Sequence, residues 1–242
     1  MANKISTGSF DLTRWLYGGY ECDVITMLAG PPGSGKTNLV ILVACSQARK
    51  GNKILFIDTE GGFSVERVKQ IVGEEHEKIL ENILLIGPVN FEEQKKHFTK
   101  ILNKINKEQI GLIIVDGMAM LYRLELGDAQ KSGKSENIKK VNREIAKQMQ
   151  VLAEIARKKR IPVIITNQVY GAFQSEEDWR RGKEKEMNIV GGDLMKYWSK
   201  CIIELKNNRG KRKACLLKHR SLKEKELNFE ITNKGVRKKG WI

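Results

Sequence analysis

ECDVITMLAGPPGSGKTNLVILVACSQARKGNKILFIDTEGG, residues 21–62, decides the fold. ECDVITMLA (21–29) is an apolar run suited to a buried strand that enters a glycine turn. TNLVILVACSQARK (37–50) has helical spacing, a basic last turn and Gly51 as its stop, and NKILFID (52–58) is a second buried strand. Between the first strand and the helix, GPPGSGKT (30–37) fits G-x-x-x-x-G-K-[ST] in the context that such a motif requires. Its glycines let backbone N–H groups turn inward around a phosphate, at the positive end of the helix that follows. Lys36 is placed to reach the β- and γ-phosphates and the Thr37 hydroxyl to ligate Mg2+. Gly30, Pro31, Pro32, Gly33, Ser34, Gly35, Lys36 and Thr37 are therefore the candidate nucleotide-binding residues, with ATP and Mg2+ as the expected ligands.

The same alternation continues outward. SVERVKQIV (64–72) opens on a serine suited to cap a helix; NILLIG (82–87), IGLIIVD (110–116) and IPVIIT (161–166) read as strands. FEEQKKHFTKILNKIN (91–106) and IKKVNREIAKQMQVLAEIARKKR (138–160) read as helices, and the polar GDAQKSGKSEN (127–137) as a loose connection. Strands that are apolar throughout and alternate with helices imply an α/β fold with a mostly parallel central sheet flanked by helices. KCIIELK (200–206), KACLLK (213–218) and ELNFEI (226–231) are expected to extend it as antiparallel C-terminal edge strands, the first two joined as a hairpin through NNRGKR. Without a repeat or a linker, residues 1–242 read as one core domain.

Composition narrows the classes. Hydrophobic residues make up 40% and charged residues 30%, and no apolar run approaches the length that crosses a bilayer, so a cytoplasmic protein with no membrane partner is expected. Cys22, Cys45, Cys201 and Cys215 are scattered and read as buried thiols rather than a zinc or disulfide framework. The net charge is +15; residues 171–242 carry 19 basic and 10 acidic groups, which points to a polyanionic partner.

Two strands end in acids. Asp116 closes LIIVD, the most apolar strand, and fits the carboxylate that holds Mg2+ on a nucleotide. Asp58 competes for that role, while Glu60, past the strand tip, is placed to orient and deprotonate a water that attacks the γ-phosphate. The order GPPGSGKT, FIDTE, LIIVD, ITNQV resembles the RecA-type recombinase core. That resemblance carries Glu60 over as the catalytic base, Asp116 as metal holder, and Gln168 as the amide that contacts the γ-phosphate and relays its presence. It aligns LYRLELGD (121–128) and 169–200 with the family's two DNA-contacting loops, and GGDLMKYWS with the segment that closes the second. Most of the chain is covered.

The departures narrow it further. A helical N-terminal domain and a Phe-x-x-Ala polymerisation element are expected to be missing, since Phe10 is followed by Asp-Leu-Thr, and KHRSLKEKE stands where active recombinases carry an acidic-proline cap. A basic, core-only version with KHRS resembles archaeal RadB, a family of recombinase paralogues. The resemblance implies a regulator or mediator of homologous recombination and repair that binds ATP and DNA, single-stranded or branched. It also implies very weak ATPase not stimulated by DNA, no strand exchange, and an influence on branched-DNA cleavage. Protein partners would be a Holliday-junction resolvase or the RadA recombinase, with a homo-oligomer such as a dimer as a further expectation. A DNA-stimulated recombinase ATPase and a KaiC-like nucleotide switch are the alternative readings.

DNA contacts are expected at Arg180, Arg181 and Lys183 beside Trp179, and more densely at Arg209, Lys211, Arg212 and Lys213 with the terminal VRKKGW. The favoured patch is the C-terminal one, where residues 206–242 hold 13 basic and 3 acidic groups. Lys218 and Arg220 share a strand face and are expected to approach a γ-phosphate, of this subunit or a neighbour.

Overall fold

The computed structural model describes residues 3–171 and 187–240. Beside a small antiparallel sheet of β1 (Lys4–Ile5) and β2 (Tyr20–Glu21), its frame is one sheet whose strands, numbered in chain order with the ranges that follow, run β12-β11-β10-β9-β3-β7-β6-β4-β5, with β8 paired to β7. The core strands β3 (Ile25–Gly30), β4 (Lys53–Asp58), β5 (Ile83–Ile86), β6 (Ile110–Asp116) and β7 (Val163–Gly171) all run parallel. Beyond β8 (Met187–Ile189), β9 (Ser199–Asn208) lies parallel to β3, and β10 (Lys211–Lys218), β11 (Lys225–Thr232) and β12 (Gly235–Lys238) follow antiparallel. The antiparallel edge therefore begins one strand later than expected: 200–206 belongs to the parallel set. The 206–211 connection is a hairpin, with Arg209 and Gly210 at positive φ in its turn.

Period-two alternation sorts each core strand onto two faces. Leu28, Ile54, Phe56, Leu112 and Ile114 pack with α1 (Phe10–Trp15), α2 (Lys36–Ala48), α3 (Val65–Val72) and α4 (His76–Glu81). Met27, Leu55, Ile57, Ile113 and Val115 pack with α5 (Phe91–Glu108), α6 (Met120–Lys131), α7 (Ser135–Lys159) and α8 (Gly192–Trp198). Because helices cover both faces, the strands need apolar residues at every position, which is why their runs are unbroken. The four cysteines are buried thiols.

Side-chain caps place the helix starts. Ser64 accepts from the Arg67 N–H and Asn90 from the Glu93 N–H, each satisfying a donor the helix leaves open. Two expectations are corrected. Residues 127–137 are not a loose connection: α6 runs to Lys131 and α7 begins at Ser135, with Gly133 at φ 68° turning the chain between them. The stretch 121–128 is likewise helical. No described helix is long and apolar enough to cross a membrane.

Candidate functional site

Four neighbouring strands deliver their carboxyl ends to one edge. Gly30 of β3 lies beside Gln168 of β7, and Asp116 of β6 beside Asp58 of β4. Chain order and spatial order part here, since β7 and β6 sit between β3 and β4. Such a switch point opens a crevice at the strand ends, where α/β sheets bind ligands.

The phosphate loop leaves β3 at Gly30 and enters α2 at Lys36. A Cβ at Gly30 would stand 2.6 Å from the Leu205 carbonyl oxygen and 2.6 Å from Ser34 Oγ, so only glycine lets β9 approach so closely. Gly35 caps the helix at φ 105°, a left-handed conformation. Lys36 is buried and folds back, with Nζ donating to the carbonyls of Gly30 (2.9 Å) and Pro31 (3.1 Å). Burial lowers its pKa, while the Glu60 and Asp116 carboxylates oppose that shift. An ammonium that donates to neutral carbonyls is poised to exchange them for an anion.

Asp116 is fully buried. Desolvation pushes its pKa up to about 6; the Glu60 and Asp58 charges add to the rise, and the Thr166 and Thr37 hydroxyls oppose it. Thr166 Oγ1 donates to Asp116 Oδ1 at 2.5 Å and accepts from the Gly117 N–H at 2.7 Å. Asp116 Oδ2 is buried without a hydrogen-bond partner among the described residues, and so is Ser34 Oγ. A buried carboxylate oxygen with no partner, beside a threonine hydroxyl at a phosphate loop, fits a hard divalent cation shared with a nucleotide. Thr37 and Asp116 are the residues that would hold Mg2+.

Asp58 has other work. Oδ1 accepts from the N–H groups of Glu60, Gly61 and Gly62, and Oδ2 from Phe63. Four backbone donors thus engage both oxygens of this carboxylate. Asp58 shapes the turn that projects Glu60, whereas Asp116 keeps an oxygen without a hydrogen-bond partner among the described residues. Glu60 Oε1 accepts from Gln168 Nε2 at 3.1 Å, so the two expected catalytic residues meet although 108 positions separate them. Gly117 makes room, because a Cβ there would lie 2.6 Å from Glu60 Cγ. Thr59 Oγ1 donates to the Gly117 carbonyl at 2.8 Å and locks the two acid-bearing turns together. Thr59 and Thr166 escaped the sequence reading; a hydroxyl beside each acid-bearing turn was the available signal.

An open cavity of about 410 Å³ is lined by Gly33, Lys36, Thr37, Glu60 and Gln168, and also by Arg212 and Ile231. A second, of about 320 Å³, lies between Arg123 and Lys131 of α6 and Gln168. Gln168 walls both, a position suited to relay.

The expected DNA contacts divide. Arg180, Arg181 and Lys183 lie outside the described residues, as does Trp241. Arg209 and Lys211 are exposed on the β9–β10 hairpin, whereas Lys213 pairs with Glu226 at 2.7 Å and Arg237 with Glu230 at 2.5 Å. Arg212, expected among the DNA contacts, lines the cavity at the phosphate loop. Lys218 Nζ donates to the Lys196 carbonyl (2.7 Å), and Arg220 holds Asp23 in two hydrogen bonds (2.6 and 2.9 Å) and the buried Glu21 at 2.9 Å. These contacts lie at the amino end of β3, the opposite end from the phosphate loop. These partners hold the Arg220 guanidinium away from this chain's own phosphate loop.

The Rad51 family model matches residues 2–239. The DNA repair and recombination protein RadB of Methanobrevibacter smithii is 38% identical over 239 residues, spanning 97% of this chain and 95% of that protein. RadB of Methanococcus maripaludis strain C7 is 43% identical over 226 residues, 93% of this chain and 96% of its own. RadB of Methanocaldococcus jannaschii is 38% identical over 225 residues, 93% and 98%.

Proposed function

The chain belongs to the Rad51 family, and from that footing we propose that it is a RadB-type recombination and repair protein. It binds ATP with Mg2+ and DNA, single-stranded or branched, and acts as a regulator or mediator. Hydrolysis is very weak and unstimulated by DNA, strand exchange is not its own activity, and branched-DNA cleavage is modulated through a resolvase or RadA partner. Residues 1–242 act as one core domain, alone or as a dimer.

The observation that carries this reading is the buried Asp116 Oδ2, without a hydrogen-bond partner among the described residues, facing a phosphate loop whose Lys36 donates to the Gly30 and Pro31 carbonyls. Backbone N–H groups of 30–37 and Lys36 would grip the triphosphate, and Thr37 and Asp116 would hold the metal. Mg2+, when bound, neutralises phosphate charge. Glu60 would orient the attacking water and take its proton, and Gln168 would report the state of the γ-phosphate. The Gln168 amide occupies the Glu60 carboxylate in this arrangement, which supports slow turnover: the base must shed that contact before it can take a proton. The same arrangement supports tight binding, because none of the gripping groups needs Glu60 to be free.

The test pairs ATP turnover, with and without single-stranded and branched DNA, with DNA affinity across a salt titration. Turnover near zero in every lane, beside DNA binding that falls steeply with salt, supports the proposal. Strong stimulation by single-stranded DNA overturns it in favour of a recombinase ATPase. No DNA binding at low salt overturns it in favour of a nucleotide switch. Mass measurement with and without ATP reads the oligomeric state.

A further inference from the structure

The C-terminal sheet backs onto the phosphate loop through one face. Arg212 of β10 pairs across the sheet with Asn207 of β9 on one side and Phe229 of β11 on the other, and Ile231 follows Phe229 by two residues. Cross-strand partners and residues two apart share a face. Three of these four side chains bear on the loop. Asn207 Nδ2 donates to the Gly33 carbonyl at 3.2 Å. Ile231 Cδ1 and Phe229 Cε2 stand 2.8 and 4.0 Å from where a Cβ on Gly35 would sit.

Arg212 is the fourth member and the charged one. It walls the same cavity as Gly33, Lys36 and Glu60. Its Nε is buried and has no hydrogen-bond partner among the described residues. Its flanking neighbours sit on the opposite strand face, where Lys213 is neutralised by Glu226. A guanidinium nitrogen withdrawn from water without an acceptor costs free energy that only an incoming acceptor recovers. In this cavity the acceptor that matches a planar, permanently charged fork is a phosphate.

We propose that Arg212 is a cationic ligand of the bound nucleotide's phosphates, supplied by β10 of the same chain, and not part of the DNA surface. The inference rests on the nucleotide-site reading above and adds a ligand from the far side of the loop. With Lys36 beneath the phosphates and Arg212 beside Gly33, the triphosphate meets cations from two elements that are 176 residues apart in sequence. The β9–β10 hairpin thereby becomes a wall of the nucleotide site at its base and, at Arg209 and Lys211, a basic tip.

The test uses the full chain as Arg212→Ala, Arg212→Lys and Lys36→Ala, with ATP affinity by calorimetry and DNA affinity by fluorescence anisotropy at several salt concentrations. Arg212→Ala should weaken ATP binding by about tenfold to a hundredfold, the range for losing a hydrogen bond to a charged group. Arg212→Lys, which keeps the charge but not the fork, should lose less, and should keep the measurement available if alanine disturbs the hairpin. The salt dependence of DNA binding should match that of the parent in both variants. The inference is overturned if Arg212→Ala binds ATP normally while Lys36→Ala does not. It is equally overturned if Arg212→Ala loses DNA affinity and about one unit of salt slope in place of ATP affinity. If Lys36→Ala itself retains ATP, the nucleotide-site reading fails first and independently of Arg212.

Discussion

Replacing Asp116 by asparagine should make the nucleotide-free protein more stable, and the gain should depend on pH. The Asp116 carboxyl is fully buried, and its pKa stands at about 6 against an ordinary 3.8. At 1.36 kcal/mol per unit, holding it ionised inside the fold costs about 2–3 kcal/mol. Asparagine keeps an acceptor for the Thr166 hydroxyl at Oδ1 and removes the charge. Because the folded pKa lies above the unfolded one, the penalty is absent below about pH 4, grows as pH rises through the window from 3.8 to about 6, and is complete above it. Urea unfolding of both proteins in EDTA, without nucleotide, from pH 4 to pH 7.5 reads the gap directly. The curves should coincide at the acid end and separate by about 2–3 kcal/mol at neutrality, which is about 4–12 °C in Tm for a chain of this size. Adding ATP with Mg2+ should reverse the ranking, since only the parent has the carboxylate for the metal. A gap that does not vary with pH, or a variant that is less stable at pH 7, would refute the reasoning.

Lys36→Ala should abolish nucleotide binding in calorimetry while DNA affinity stays largely intact; equal loss of both would mean the two sites are one. Glu60→Gln should leave ATP affinity nearly unchanged and lower residual turnover by about a hundredfold or more, the usual scale for a general base. Removing Arg209 and Lys211 together should flatten the salt dependence of DNA binding by about two units of slope, with ATP affinity as the control. Gly19→Ala should cost about 2 kcal/mol or more in thermal melts, because Gly19 sits at φ 104° and an added Cβ would fall 1.9 Å from the Ile5 carbonyl oxygen.

The parallel core was legible because burial on both faces leaves a signal that survives without structure. ILFID and LIIVD admit no polar interruption, and their terminal acids fall at the carboxyl ends where the site forms. Other features were masked for physical reasons. GDAQKSGKSEN reads as loop by polarity, yet alanine, glutamine and lysine are good helix formers, and a solvent-facing helix has no need of apolar residues beyond its inner stripe. Only Gly133, with its positive φ, marks the true break. The direction of β9 was invisible because alternation along a strand is the same whichever way the strand runs. Arg212 shows what a charge count hides. Counting charge in KRK merged three cations into one patch, whereas the period-two rule, applied to the same letters, sends the middle one to the other face.

The two ends of β3 separate groups that the shared strand face of Lys218 and Arg220 leads one to expect together. Arg220 and Lys218 sit beside Asp23 and the α8 carbonyl of Lys196 at the amino end, and the phosphate loop leaves the carboxyl end. Six residues at about 3.3 Å each put roughly 17–20 Å between them, far beyond the reach of an arginine side chain. Arg212, at the opposite end of β10, is the cation proposed for this chain's own site. If Arg220 completes a γ-phosphate environment, that nucleotide must therefore belong to another molecule stacked end to end. To do so Arg220 must give up Asp23 and Glu21, and the buried Glu21 carboxylate would lose its guanidinium partner. That cost opposes stacking unless the neighbour's nucleotide repays it, so on the proposed reading assembly and a filled neighbouring site go together. On the proposed reading an isolated chain would grip ATP through Lys36, Arg212 and the loop amides, with Glu60 still held by Gln168, and would turn it over slowly for want of that outside charge.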